Sequence, residues 1–170
     1  MSAEIETERL VLRPHRLSDF EAMAAMWAEP EVARFISGQP STTEESWLRL
    51  QRYAGHWPLF GFGYWALIEK ESGRYLGDGG FMESRRGFPP PFDAPEQGWA
   101  IAGWAQGKGY AREGCEAMLA WAEAHFRRRD FVCMIAPENT PSLKLAGRLG
   151  YREYARAEYR GAPVVLFRRA

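Results

Sequence analysis

The sequence predicts a single mixed α/β domain built on one central sheet. Three observations carry that reading. A length of 170 residues suits one domain and is enough to bury a sizeable core. Apolar residues recur every second position in some segments and at helical spacing in others. No internal repeat or low-complexity linker divides the chain.

The elements follow in order. Thr7 to Pro14 alternates around Leu10 and Leu12, a half-buried strand that Pro14 stops. Ser18 with Glu21 three residues on reads as a capping box, and Phe20, Met23, Ala24 and Trp27 follow at helical spacing. Pro30 marks the exit of that helix. Thr42 or Thr43 opens a second helix carrying Trp47, Leu50, Tyr53 and Ala54, which Pro58 closes. Tyr64 to Ile68 and Tyr75 to Met82 form a hairpin around the polar turn Glu69 to Gly73. Gly87 to Pro95 holds four prolines and two phenylalanines, so it is a loop. Glu96 to Ala102 reads as a strand.

The longest helix places Ala111, Cys115, Met118, Leu119, Ala122 and Phe126 on one apolar face, and Arg127-Arg128-Arg129 suits its negative end. Phe131 to Ile135 is continuously apolar, as in a strand covered on both faces. Asn139 or Thr140 caps a short helix with Leu143, Leu145, Ala146 and Leu149, ended by Gly150. Two strands, Tyr151 to Tyr159 and Val164 to Arg168, meet at Gly161-Ala162-Pro163. The order is β-α-α-β-β-β-α-β-α-β-β, with a right-handed β-α-β crossover expected from Glu96 to Ile135.

Composition excludes several classes. Apolar residues are 46% and charged residues 26% of the chain, the globular range, so disordered and fibrous classes are out. The 22 basic and 22 acidic side chains cancel, which argues against nucleic acid as the main ligand. No apolar run approaches the roughly 18–20 residues of a membrane span. The acidic start, Met1 to Glu6, reads as no secretory leader, and position 2 is not glycine, so no myristoylation signal is expected. Cys115 and Cys133 read as buried thiols of a cytoplasmic protein. With no CxxC spacing and with His15, His56 and His125 scattered, no metal site is expected.

The segment that carries chemistry is Gln106-Gly107-Lys108-Gly109-Tyr110-Ala111, between a strand and the long helix. A glycine turn at a helix N-terminus offers free N–H groups at the positive end of the dipole, a place for phosphate or pyrophosphate. Gly107 and Gly109 permit positive φ and close approach, and Lys108 adds a cation. The plain alternative is a tight strand-to-helix turn. A P-loop string is absent, and Arg112 stands where the dinucleotide fingerprint needs its third glycine. A second segment, Pro137-Glu138-Asn139-Thr140-Pro141-Ser142, opens the short helix that Leu149-Gly150-Tyr151 ends.

Together these segments resemble the GNAT superfamily of acetyl-CoA-dependent N-acyltransferases. Gln106-x-x-Gly109-x-Ala111 fits its pyrophosphate motif, and Asn139, Ser142 and Leu149-Gly150-Tyr151 fit its second motif. Thr7-Glu8-Arg9-Leu10-x-Leu12-Arg13, Glu96-x-Gly98-Trp99 and Gly107-Lys108-Gly109-Tyr110-Ala111-x-Glu113 resemble the branch of the ribosomal-protein N-terminal acetyltransferases (RimJ/RimL-like).

The resemblance implies a mostly antiparallel mixed sheet of about seven strands, with its fourth and fifth strands a splayed parallel pair, and about four helices, in one domain over residues 1–170. It implies acetyl-CoA as cosubstrate, an amine acceptor and no metal. Trp99, Ala100 and Ile101 would pair with the pantetheine arm and offer an N–H to the thioester oxygen. Gln106 to Ala111 would hold the pyrophosphate, and Asn139 and Ser142 the pantetheine or adenosine end.

The amine must lose a proton to attack, so a base helps by roughly 10²–10⁴-fold. Glu96 is the first candidate, Glu83 the second and His56 a distant third. Ala146 occupies the position where many relatives carry a tyrosine acid. Coenzyme A thiolate leaves tolerably without one, since a thiol pKa is about 8.5. The two N-terminal helices, the 87–95 loop and the last hairpin would shape the acceptor pocket, with Trp47, Trp57, Phe60, Phe62, Phe88 and Phe92 as lining. The Phe88-Pro89-Pro90-Pro91-Phe92 stretch would border its entrance. Oligomeric state is not written in the sequence; a homodimer is only the general prior for symmetric cytoplasmic enzymes. Two other readings stay open at this point: a coenzyme A-binding module without turnover, and a nucleotide or phosphate binder outside this family.

Overall fold

In the computed structural model the chain is described from residue 3 to residue 170; Met1 and Ser2, part of the leader reading, lie outside the described residues. Eight strands form one sheet in the order β1-β2-β3-β4-β5-β6-β8-β7. They are β1 (Ile5–Glu6), β2 (Leu10–Pro14), β3 (Tyr64–Glu69), β4 (Tyr75–Met82), β5 (Glu96–Ile101), β6 (Phe131–Ile135), β7 (Arg152–Tyr159) and β8 (Ala162–Arg169). Neighbours run antiparallel except β5 and β6, which run parallel. Five α-helices complete the described residues: α1 (Phe20–Trp27), α2 (Pro30–Ala33), α3 (Thr43–Phe60), α4 (Tyr110–Phe126) and α5 (Thr140–Arg148). The strand and helix counts exceed the expected seven and four by the two-residue β1 and the one-turn α2.

Each face of the sheet buries a different helix set. The α4 stripe of Cys115, Met118, Leu119 and Ala122 joins Leu10, Leu12, Leu67, Phe81 and Phe131 in one cluster. Met23, Met26 and Trp27 of α1 and Leu50 and Tyr53 of α3 pack with Ala66 and Ala100 in a second. Full burial of one such side chain stabilises by about 1.5–3 kcal/mol. Truncating Met118, which is fully buried, to alanine costs about 2–5 kcal/mol.

Three local expectations differ from the structure, each for a physical reason. Ser18 does not cap α1: it lies in a 3-10 turn, Leu17–Asp19. Asp19 does the anchoring there. Its carboxylate takes two 2.8 Å hydrogen bonds from Arg13 and one of 2.7 Å from the Arg16 N–H, which a serine hydroxyl cannot match. Pro30 opens α2 rather than only ending α1, since proline suits a first helical turn. Pro58 does not close α3. The helix continues to Phe60 and ends on Gly61, at φ +76°, whose N–H reaches Trp57 O at 2.8 Å. The proline costs one bond near the end, and edge-on packing of Trp57 on Trp65 and Trp121 secures that turn.

Candidate active site

The site begins at the turn between β5 and α4. Gly107 and Gly109 both take left-handed φ, +74° and +84°, a conformation that costs an L side chain roughly 1–2 kcal/mol. Gly109 caps α4 without a side-chain bond. The first N–H groups of a helix have no intrahelical carbonyl, so the amides of Tyr110, Ala111 and Arg112 present partial positive charge at the dipole's positive end. The Gln106 side chain donates to Ile101 O at 2.9 Å and pins the start of the turn to the end of β5.

The N-terminal segment locks this turn from outside. Glu113, in the first turn of α4, accepts from Thr7 Oγ1 at 2.6 Å, from Arg9 N–H at 2.8 Å and from Arg9 Nε at 2.7 Å. Arg9 also donates to Lys108 O at 3.0 Å and stacks over the Tyr110 ring. Burial alone would raise the Glu113 carboxyl pKa; the hydrogen bonds from Thr7 and Arg9 outweigh it and hold the pKa below its ordinary value. The two motifs at residues 7–13 and 107–113, a hundred residues apart in sequence, are thus one structural unit.

Beyond their starts, β5 and β6 part. Glu96 stands opposite Val132, and Val132 N–H donates to Pro95 O at 3.2 Å. A cavity of about 360 Å³ opens at the split. Trp99, Ala100 and Ile101 form one wall. Gln106, Gly107, Gly109, Tyr110 and Ala111 form the end, and Asn139 and Ser142 of the α5 turn form the other wall. Asn139 caps α5, its Oδ1 accepting from Ser142 N at 3.3 Å. Trp99 Nε1 donates to Ser142 Oγ at 3.3 Å, bridging the gap. Lys108 is not among these lining residues; its ammonium lies 5.5 Å from the centre of the Trp104 ring.

A second cavity, about 470 Å³, shares Phe35, Ile36, Trp99, Ala100, Asn139 and Ser142 with the first, so the two adjoin across the split, with the Trp99–Ser142 bond among the residues between them. Glu96 and Glu83 line this second chamber. Glu96 is buried, and its carboxylate is gripped by Arg86 through Nε at 2.9 and 3.1 Å and Nη2 at 2.7 Å. Glu83 is exposed, with Arg85 at 3.8 Å. His56 also lines the chamber, with both ring nitrogens engaged: Nδ1 meets Phe62 O at 2.6 Å and Nε2 accepts from Glu83 N–H at 3.1 Å.

The aromatic lining differs from the expected set. Trp27, Phe35, Tyr53, Tyr64, Trp99 and Tyr159 face the chamber. Trp57 and Phe62 belong to the core under α4. Trp47 and Phe60 are exposed on α3. Phe88 and Phe92 pack on Val164, Leu166 and Tyr159 of the last hairpin, so the proline loop braces that hairpin. Ser84, Arg85 and Arg86, just before the loop, line the chamber, whereas Phe88 to Phe92 do not.

Sequence reasoning missed Asp78, Arg86 and Tyr64. Asp78 is fully buried at the chamber's base. It accepts from Trp27 Nε1 at 2.9 Å and from Tyr75 OH at 3.0 Å, and burial raises its carboxyl pKa. A charged residue inside the otherwise buried strand Gly77-Asp78-Gly79-Gly80 was the available signal. Tyr64 lies against Gly98, where a Cβ would come within 1.9 Å of its hydroxyl. Gly98 is therefore a close-approach position on the strand that borders both chambers.

The profile of the Acetyltransferase (GNAT) domain family matches residues 9–152. The chain belongs to the GNAT acetyltransferase family. It is similar to a crystallised protein from Bordetella pertussis described as a GnaT-family acetyltransferase, at 37% identity and a TM-score of 0.87 over 99% of this chain and 100% of that one. An uncharacterized N-acetyltransferase of Bacillus licheniformis, p20, is 26% identical over 95% of this chain and 92% of its own length. The ribosomal-protein-S5-alanine acetyltransferase of Vibrio fischeri shares the fold, with a TM-score of 0.76 at 20% identity over 99% of this chain and 96% of that one. GNAT acetyltransferases use acetyl-CoA as cosubstrate and act on an amine; this chain has a split between β5 and β6 and a glycine turn beside it. Among the described residues no helix is long and apolar enough to cross a membrane, and no His, Cys, Asp and Glu group is placed to hold a metal ion.

Proposed function

We propose that this acetyltransferase moves the acetyl group of acetyl-CoA to a primary amine, a peptide N-terminus or a small molecule, by direct attack in a ternary complex within one domain. The observation that carries the reading is the pair of adjoining cavities at the split between β5 and β6, the glycine turn lining one and Glu96 the other. Acetyl-CoA supplies the thioester: a C–N bond forms to the amine, the C–S bond breaks, and the amine's proton is lost.

The chain's residues divide that work. Gln106 to Ala111 hold the pyrophosphate through first-turn amides, with Lys108 as a more distant cation. Trp99, Ala100 and Ile101 present strand backbone on the open edge, where an N–H offsets charge developing on the thioester oxygen. Asn139 and Ser142 hold the pantetheine arm from the opposite wall.

Glu96 takes the proton through water. A carboxylate has about four acceptor sites, and Arg86 occupies only part of them while fixing the group's orientation. Glu83 is the second carboxylate of the same chamber. Both thiols are buried, and burial pushes the Cys115 and Cys133 pKa values up, so neither is a ready nucleophile. Ala146 has no ionisable group, so no acid acts from that position; either the thiolate leaves without a protein acid or another group of the site protonates it.

The test is acetyl-CoA-dependent release of free coenzyme A over an amine panel, set beside a thermal-shift titration with acetyl-CoA, ATP and NAD. Stabilisation by acetyl-CoA alone is expected, roughly 2.7 kcal/mol at about 100 times Kd. Glu96→Gln is expected to lower kcat by about 10²–10⁴ with acetyl-CoA affinity retained. Binding without turnover of any amine would leave a coenzyme A-binding module instead, and a kcat loss under threefold would move the base role to Glu83.

A further inference from the structure

The acceptor chamber is charged in a way the whole chain is not. The chain's formal net charge is zero, yet five arginines and three carboxylates line this chamber. Two of the carboxylates are already engaged: Glu96 by Arg86, and Asp78 by Trp27 and Tyr75 beneath the surface. The arginines come from three separate segments. Arg49 and Arg52 lie one turn apart on α3, Arg85 and Arg86 follow β4, and Arg160 sits at the turn between β7 and β8.

Aromatic faces hold these cations where an ion pair would otherwise be expected. Arg49 lies 3.7 Å over Trp27, Arg52 lies 5.3 Å over Tyr53 and Arg160 lies 5.2 Å over Tyr159. Arg49 also donates from Nη1 to Ser41 Oγ at 3.1 Å, and a guanidinium has five N–H donors in a fork geometry that fits carboxylate or phosphate, so one such bond leaves donors for an anion. Such an arrangement favours an anionic group and disfavours a cationic one.

We infer that the acceptor is an amine that also carries an anionic group, carboxylate or phosphate. The amine enters towards Glu96 and the Trp99–Ala100 backbone, while Arg49, Arg52 and Arg160 receive the anion. The inference rests on the acetyl-transfer reading above and names its substrate class. The chemistry is shared by two sources, an acidic peptide N-terminus and a small anionic amine.

The experiment compares kcat/KM across two matched sets at fixed acetyl-CoA. C-terminally amidated Gly-Asp-Asp, Gly-Ser-Ser and Gly-Arg-Arg form the peptide arm. O-Phosphoethanolamine, β-alanine, ethanolamine and 1,3-diaminopropane form the small-molecule arm. The expected result is at least a tenfold preference for the anionic members of one arm, which identifies the source and which added salt reduces. In R52E/R160E, both on exposed positions, the preference should shift towards the cationic members while the acetyl-CoA KM holds.

Equal or better use of neutral or cationic amines by the unaltered enzyme overturns the inference and leaves acetyl transfer standing. No turnover of any amine, with acetyl-CoA still bound, overturns the acetyl-transfer reading instead. The anionic and neutral amines are then compared by equilibrium binding, where equal affinity overturns the inference as well.

Discussion

The two chambers are built on different principles. The β5–α4 side presents backbone: two left-handed glycines, first-turn amides and an unpaired strand edge. The other side presents side chains gathered from α1, α3, the segment after β4 and the last hairpin. Backbone recognition needs particular residues at fixed spacing, because only glycine tolerates the conformation. Side-chain recognition needs only that distant segments converge, so its sequence trace is diffuse. On the proposed function, the half of the reaction that handles acetyl-CoA is written locally and the half that selects the acceptor is assembled globally.

The sharpest way to break that contrast is Asp78→Ala. The variant leaves the Trp27 N–H and Tyr75 O–H without their buried acceptor, at about 1–3 kcal/mol for each orphaned group. A loss of about 3 kcal/mol is expected, a Tm drop of about 6–12 °C at 2–4 °C per kcal/mol. Acetyl-CoA affinity below the transition should change less than threefold. An unchanged melting curve would show that the buried carboxylate does not brace the acceptor side.

Gly109→Val probes the backbone half. A β-branched residue at φ +84° is strained by about 1–2 kcal/mol, so acetyl-CoA Kd should rise about tenfold. Titration calorimetry reads it. The acceptor KM should stay within threefold, and equal losses on both substrates would erase the distinction between the chambers.

Glu113→Gln tests the lock between the two motifs. It weakens the bonds from Thr7 and Arg9; because the Arg9 side chain is 40% exposed, a loss of only about 1 kcal/mol is expected at neutral pH. The native carboxyl pKa lies below its ordinary value of 4.5, so the charged form is favoured by folding. That stability is fully present above the unfolded pKa and is lost as pH falls through the native one. Urea midpoints should therefore differ at pH 7 and converge below pH 4.5. A difference that grows on acidification would refute the assignment.

The smallest effect is expected at Lys108. Its ammonium sits beside Trp104 and outside the cavity lining, so Lys108→Ala should raise acetyl-CoA KM only two- to threefold, about 0.4–0.7 kcal/mol. A tenfold rise would mean that side-chain charge, and not the first-turn amides, dominates pyrophosphate binding.

Legibility followed physical locality. The strand Phe131 to Ile135 was readable from its unbroken apolar run, and the α4 stripe around Met118 from its single helical period. The Asn139 cap and the Gly107–Gly109 turn were readable because few residue types serve there. Ser18 and Pro58 misled because Arg13–Asp19 pairing and Trp57 packing, both tertiary, outweighed local preference. The aromatic lining misled for a related reason: a Trp or Phe buries equally well in core or cleft, and Trp57 and Phe62 went to the core.

The sequence by itself determined the family, the order of elements and the turn at residues 106–111, since each depends on residues adjacent in the chain. Only the tertiary structure decided that Glu96 stands against Arg86, that Asp78 lies under the acceptor chamber, and that five arginines converge on its lining. Those neighbours are set by helix packing and strand register over tens of residues, and no spacing along the chain encodes a distance between segments that only folding brings together.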